Sequence, residues 1–130
     1  MDTCIFCSLI KPEQKLLQTE NFFVVLDINP AQPGHLLIIT KNHVMDIREF
    51  NDAQLLELIR LEQQLTNALY EALPVDGVTI AENNGHKIMQ KGTHLHVHVI
   101  PRYEADGFWD NQNVAQHKPI LDKLVQNLRG

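Results

Sequence analysis

The stretch Gly92–Tyr103, GTHLHVHVIPRY, places histidine at positions 94, 96 and 98, with Leu95, Val97 and Val99 alternating with them. Alternation of this kind fits a β-strand, where successive side chains point to opposite faces and every second one shares a face. The pattern predicts three imidazoles in a row on one face and aliphatics packed into the core on the other. On a regular strand, side chains two apart stand roughly 6.5–7 Å from one another, given the rise per residue. That is too wide for three neighbours to close on one ion whose nitrogens sit at about 2 Å. A ladder of imidazoles along an extended anion fits better. A neutral ring is a nucleophile, and a protonated one donates to phosphate oxygens. Pro101 is expected to end the strand.

Around this strand the chain divides by its hydrophobic period. ENFFVVLDI (20–28) is an apolar run rich in Phe and Val, and NPAQPG after it marks a tight connection. HLLIIT (35–40) reads as the next strand, paired with the first in a hairpin. In NDAQLLELIRLEQQLTNALYEAL (51–73) the period becomes helical: Leu55, Leu58, Ile59, Leu65 and Leu69 recur on one face, with Asn51 or Asp52 as N-cap. Leu56 and Leu61 widen that stripe and predict a second surface to bury. DGVTIAENNG (76–85) is a further strand. A last helix is predicted to start near Pro119 and to present Ile120, Leu121, Leu124, Val125 and Leu128. Strands and helices segregate, so the expected class is α+β on an antiparallel sheet.

The 130 residues, 44% hydrophobic and 21% charged, suit one domain spanning 1–130. Eleven Lys and Arg against sixteen Asp and Glu leave a net charge of −5, which argues against a nucleic-acid-coating protein. No run approaches the roughly 18 apolar residues of a membrane span, and Met1-Asp2-Thr3-Cys4 lacks a secretory pattern. A cytoplasmic location without membrane or nucleic-acid partners is expected. Cys4 and Cys7, the only cysteines, form C-x-x-C, which favours redox or metal chemistry over a structural disulfide in that compartment. A thioredoxin-like reading wants a strand before the motif, and none precedes Cys4. Two thiolates plus two imidazoles, in contrast, complete a closed tetrahedral zinc site.

HLHVHVI fits His-φ-His-φ-His-φ-φ, with φ apolar. With CIFCSLI, LDINPAQPGHLLIITKNH and NNGHKIMQKGTHLHVHVIPRY in this order, the chain resembles the histidine triad (HIT) superfamily over nearly its whole length. The resemblance implies a HIT-like fold: about five antiparallel strands, one long helix and a C-terminal helix. It implies a nucleotide hydrolase or transferase cleaving at an α-phosphate through a nucleotidyl-histidine intermediate. The expected substrate is a dinucleoside polyphosphate such as Ap4A or a nucleoside phosphoramidate, and a homodimer formed through the long helix is expected. The alternative is a nucleotide-binding or interaction protein with little turnover.

By this resemblance His96 attacks phosphorus, and His98 binds phosphate and assists the leaving group. Asn83 and Gln90 contact phosphate, and Asp27 holds the ribose. Phe6 and Ile28, with Ile5 and Leu9, form the slot for a purine base. Core packing is the competing reading for those four apolar residues, and a turn-forming carboxylate before NP is the competing reading for Asp27. Structural zinc is implied at Cys4, Cys7, His43 and His94, which leaves His96 as the histidine free for chemistry. His35 is expected to support the site from behind. Met89, Lys91 and Gly92 depart from the family pattern, Lys91 replacing a common hydroxyl residue. Arg102 has solvent or phosphate as candidate partners, and Trp109 the nucleotide or the core.

Overall fold

The computed structural model describes residues 4–109 and 122–130. After a short helix α1 (Ile5–Ser8) and a 3-10 turn (Pro12–Gln14) come β1 (Leu17–Gln18), β2 (Phe22–Leu26) and β3 (Leu36–Thr40). A second 3-10 turn (Ile47–Glu49) leads into α2 (Asp52–Ala72), followed by β4 (Gly77–Glu82), β5 (His96–Arg102) and α3 (Asp122–Arg129). The strands form one sheet in the order β1-β2-β3-β5-β4, every neighbouring pair antiparallel. This is the expected α+β architecture, with β2 and β3 paired as a hairpin.

Register decides which side chains meet. Leu37 lies opposite His98 and Ile39 opposite His96, while Leu36 and Ile38 lie opposite Val99 and Val97. Directly opposed residues share a face. One face therefore carries Phe22, Val24, Leu36, Ile38, Val97 and Val99, which pack with Leu58, Leu61, Leu65 and Leu69 of α2. The other carries Phe23, Val25, Leu37 and Ile39, covered by Phe6 and Ile10 of the N-terminal segment. Burial on both faces explains why FFVV and LLII are continuous apolar runs. His96 and His98 stand on the second face.

Helix α2 starts where its sequence carries a reciprocal cap. Asn51 Oδ1 accepts the Gln54 N–H at 2.9 Å, and Gln54 Oε1 accepts the Asn51 N–H at 2.9 Å. Its buried stripe runs through Leu58, Leu61, Leu65 and Leu69, spaced three, four and four, which corrects the expected one. Leu55 and Ile59 are exposed and Leu61 is core. The cluster of Leu and Ile between 55 and 61 satisfies two helical phases, and the sheet selects the one that packs on Val97 and Val99. Leu56 is exposed, whereas Leu61, expected with it to widen the stripe toward a second surface, is in the core.

Two strand boundaries also differ. β5 begins at His96, because the Leu95 N–H leaves the sheet for the Val44 carbonyl at 2.7 Å. His94 therefore precedes the strand, and the three histidines do not share one regular row. The strand then continues through Pro101 to Arg102. Pro101 lies opposite Val78 of β4, beyond the last β3 pair at Val99, so its missing N–H deprives no β3 carbonyl. The expected helix start at Pro119, with Ile120 and Leu121, lies outside the described residues. In α3, Leu124 and Leu128 are exposed and Val125 is half-buried. Among the described residues no helix is long and apolar enough to cross a membrane.

Candidate active site and metal-ligand cluster

On the second face of the sheet an open cleft of about 290 Å³ lies between the N-terminal segment and the strands. Val25 and Leu37 form its floor; Ile5, Phe6, Leu9, Ile10 and Gln14 form one wall; Leu26, Asp27, Ile28 and Asn29 form the rim; Gln90, Thr93, His96 and His98 close the remaining side. The cleft gathers Phe6, Asp27, Ile28, Gln90, His96 and His98 from distant parts of the sequence, together with Ile5 and Leu9. Asn83 is not among its lining residues; it is exposed, one position past the end of β4. Ile28 is 82% exposed, and Leu9 58%, so both are apolar side chains left open to the cleft rather than core. Thr93 carried no sequence signal, and its hydroxyl donates to the Gln90 carbonyl at 2.6 Å.

The three histidines are distinguished by their backbone partners. A carbonyl can only accept, so a ring nitrogen bonded to one must carry a proton. His94 Nε2 donates to the Thr40 carbonyl at 2.6 Å, leaving Nδ1 as a bare lone pair. His96 Nδ1 donates to the His94 carbonyl at 2.8 Å, leaving its Nε2 bare. Phe6 packs edge-on against the His96 ring, centroids 4.9 Å apart. The His96 and His98 rings lie 4.9 Å apart, closer than regular strand spacing suggests, because they lean together.

The His98 proton is placed by a second ring, that of His35. The Ala31 N–H donates to His35 Nδ1 at 3.0 Å, so in neutral His35 the proton sits on Nε2. His35 Nε2 lies 2.9 Å from His98 Nδ1, which must then accept, and neutral His98 holds its own proton on Nε2. Both rings are held neutral: burial first, then neighbouring imidazoles, pushes His98 down to about 4, and burial likewise lowers His35 against the opposing pull of Asp27. Asp27 shares the corner. Its Oδ1 accepts the Asn29 N–H at 2.8 Å, and its Oδ2 lies 3.5 Å from His35 Nε2 and 4.0 Å from His98 Nδ1. The turn reading of Asp27 thus holds for one oxygen and leaves the other toward the site. Asp27, His35 and His98 also converge closely enough to resemble a metal cluster. The proton that Ala31 places on His35 Nε2 argues against a metal there.

A second convergence is different in kind. Donor atoms of Cys4, Cys7, His43 and His94 all lie within 4.8 Å of one another. Cys4 Sγ is 3.3 Å and Cys7 Sγ 3.4 Å from His94 Nδ1, and Cys7 Sγ is 3.2 Å from His43 Nδ1. A tetrahedral zinc site with ligand bonds of about 2.0–2.3 Å sets its ligands roughly 3.3–3.8 Å apart, so these separations fit. The lone pair of His94 points at the thiols because Thr40 takes the opposite proton, the usual outer-shell arrangement for a ligating histidine. Burial, then the facing Cys4 thiol, raises Cys7, a cost that a dication between the two sulfurs reverses. The chemistry of the donor set therefore suits zinc.

Gly92, which departs from the family pattern, has φ +80°, a conformation glycine adopts freely, and its carbonyl accepts the Ile5 N–H at 2.7 Å. Met89 is buried and Lys91 is exposed. Arg102 does not line the cleft; partly exposed, it makes two 2.7 Å bonds to Asp106. Trp109 is 60% exposed, outside the cleft lining, with its ring 5.7 Å from that guanidinium.

The sheet, its helix and the alternating histidines beside an apolar cleft define a histidine-triad protein. The HIT domain family model matches residues 9–105, and the chain belongs to that family. The adenosine 5′-monophosphoramidase HNT1 of Saccharomyces cerevisiae is 34% identical over 134 residues, covering 93% of this chain and 82% of the relative. The adenylylsulfatase HINT3 of Arabidopsis thaliana is 32% identical over 128 residues, covering 96% of this chain and 65% of that longer protein. Among solved structures, a Zn-bound histidine triad family protein from Mycobacterium smegmatis matches with TM-score 0.68 and 30% identity, over 97% of this chain and 90% of that one. These two relatives carry the names of enzymes acting on adenylyl compounds.

The depressed His98 has a stability consequence of definite sign. Its ordinary value in an unfolded chain is about 6.5, and in the fold it falls to about 4. Between those values the unfolded state binds the extra proton, so stability is fully present above pH 6.5 and declines as pH falls toward 4. His35, also lowered, adds a change of the same sign. At equal metal content, the urea midpoint of the His98→Asn variant is expected to fall less steeply between pH 7 and 4.5 than that of the wild type. Equal slopes would contradict the assignment of a buried neutral His98.

Proposed function

We propose that the chain, acting as a single domain over residues 1–130, is a nucleotidyl hydrolase that cleaves at the α-phosphate of a nucleoside phosphoramidate or a related small adenylyl substrate. The observation that carries this reading is the bare Nε2 of His96 beside the cleft, its other nitrogen occupied by the His94 carbonyl. His96 Nε2 forms a bond to phosphorus as the P–N bond to the leaving group breaks, and His98 Nε2–H passes its proton to the departing amine. Water then attacks phosphorus, His98 takes its proton, and the phosphorus–histidine bond breaks to release the nucleoside monophosphate. Phe6 and Ile28, with Ile5 and Leu9, receive the base. Asp27 Oδ2 accepts from the ribose hydroxyls, Gln90 contacts phosphate from the cleft side, and Asn83, one residue past the end of β4, is the second phosphate contact.

The cleft's charge favours the phosphoramidate branch over a polyphosphate such as Ap4A. Among the described residues its lining contains no Lys or Arg, its one carboxylate is Asp27, and His98 is held neutral. A chain of several phosphates calls for cations that this lining does not offer. The test is to react the protein with a labelled adenosine phosphoramidate, quench, and map the modified residue. Label on His96, with turnover lost in His96→Ala, is expected. Label elsewhere, or undiminished turnover in that variant, would reject the mechanism and favour a binding protein.

Cys4, Cys7, His43 and His94 would hold structural zinc, which supplies a fixed tetrahedral node tying the N-terminal segment to the triad loop. Their own part is to present two thiolates and two neutral imidazoles. Protein purified without chelator is expected to contain about one zinc per chain by elemental analysis, and Cys7→Ser to lose most of it. A wild-type protein with no zinc and both thiols freely titratable would sink the site.

A homodimer through α2 belongs to the same proposal. Leu55, Leu56 and Ile59 of the helix and Ile80 of β4 are exposed apolar side chains flanking Glu62 and Arg60, a surface of mixed charge suited to self-pairing. Sedimentation at micromolar concentration is expected to give a dimer for the wild type and a monomer for Ile59→Glu. A monomeric wild type would reject it.

A further inference from the structure

The contact that fixes His35, the Ala31 N–H, sits in the partly exposed loop between β2 and β3. That loop is closed by the Asp27 N–H on the His35 carbonyl at 2.9 Å and by the His35 N–H on the Gln32 carbonyl at 3.1 Å. Gly34 turns it with φ +93°, and a Cβ there would lie 2.8 Å from Leu73 Cδ1. A side-chain tie reaches it from elsewhere in the chain: Gln32 Nε2 donates to Asp106 Oδ2 at 3.0 Å. Asp106 is itself rigidly held. Arg102 grips both its oxygens at 2.7 Å, the Tyr103 and Phe108 N–H groups each donate to it at 3.1 Å, and Arg102 is anchored on Thr79 Oγ1 at 2.8 Å. Those bonds, that of Arg102 first, hold the Asp106 carboxyl well below the usual carboxylate range.

The His35–His98 pair can satisfy its shared hydrogen bond in two directions. Either His35 Nε2–H donates to His98 Nδ1, or His98 Nδ1–H donates to His35 Nε2. Only the first leaves a proton on His98 Nε2. Asp27 does not choose between them, because its Oδ2 lies near both nitrogens that share the proton. The Ala31 N–H does choose, since it requires a lone pair on His35 Nδ1.

We propose that Asp106 is a positioning residue that acts through Gln32: it holds the loop so that Ala31 meets His35 Nδ1, and thereby keeps the His98 proton on Nε2. The benefit to catalysis rests on the function proposed above, where that proton goes to the leaving group. The coupling itself does not, and it can be read without substrate.

The experiment is nitrogen-15 NMR of histidine-labelled, metal-loaded protein at pH 7, where two-bond proton–nitrogen correlations report which ring nitrogen carries the proton. In the wild type, His35 and His98 are both expected as Nε2–H forms. Gln32→Ala, which cuts the tie and leaves the Arg102–Asp106 pair intact, is expected to give mixed tautomers at both rings. Ala31→Pro, which deletes the donor, is expected to move them furthest. Phosphoramidate hydrolysis by Gln32→Ala is expected to show kcat lowered roughly two- to fivefold, in proportion to the fraction of His98 that loses its Nε2 proton when one hydrogen bond no longer biases the pair, with KM little changed. Wild-type tautomers in folded Gln32→Ala overturn the proposal, even if the variant melts lower, since that is all a merely structural tie would do. Mixed tautomers with full turnover support the coupling and reject the donor role of His98.

Discussion

A neutral imidazole has one N–H, and the site depends on where backbone groups hold it. Thr40 and His94 present carbonyls, and Ala31 presents an N–H. Three chemically identical side chains acquire three different lone-pair directions from those contacts. At His94 the lone pair meets two thiols, at His96 it is left for the cleft, and at His98 it is used internally by His35. The chemical differentiation of the triad is therefore a property of the surrounding main chain, fixed before any ligand binds.

Main-chain groups can do this only if the sheet and the N-terminal segment are rigid against each other. The face opposite α2 is apolar, and among the described residues no helix of comparable length covers it. Phe6 and Ile10 do so instead, from a segment in which α1 has four residues. A helix that short has no independent stability in water. It is held by the Ile5 N–H on Gly92 and by the approach of Cys4 and Cys7 to His43 and His94. A metal in the proposed cluster would convert that approach into a covalent-strength staple, contributing folding free energy where packing is thinnest.

Periodicity made the sheet, the hairpin, the long helix and the shared face of His96 and His98 legible, because each rests on a local pattern. What it missed has a common cause in tertiary contact. His94 left the strand because Val44 takes the next N–H. Leu61 displaced Leu55 and Ile59 from the core because two helical phases were equally apolar and only the sheet chose. The assignment of Asn83 to phosphate rests on the resemblance, since Asn83 does not line the cleft. No local pattern assigned a role to Thr93, Gln32 or Asp106, because their contacts arise from loops meeting across the fold. His35 was visible as part of PGH, but the hydrogen bond that gives it a direction was not. The residue identities of the candidate metal cluster came through the family resemblance, and the structure brings all four together.

His94 belongs to both halves of the site. Its ring faces the thiols, while its carbonyl holds the His96 proton. A net hydrogen bond of about 1 kcal/mol biases a tautomer pair only about fivefold, so a loosely held carbonyl would leave an appreciable fraction of His96 with its nucleophilic nitrogen blocked. Anchoring the ring of the same residue, at Thr40 on one side and at the thiol cluster on the other, fixes the peptide that supplies the acceptor. In a buried setting such a fixed acceptor is worth more than in water. The proposed metal cluster thereby influences the proposed nucleophile without touching substrate, through a single shared residue.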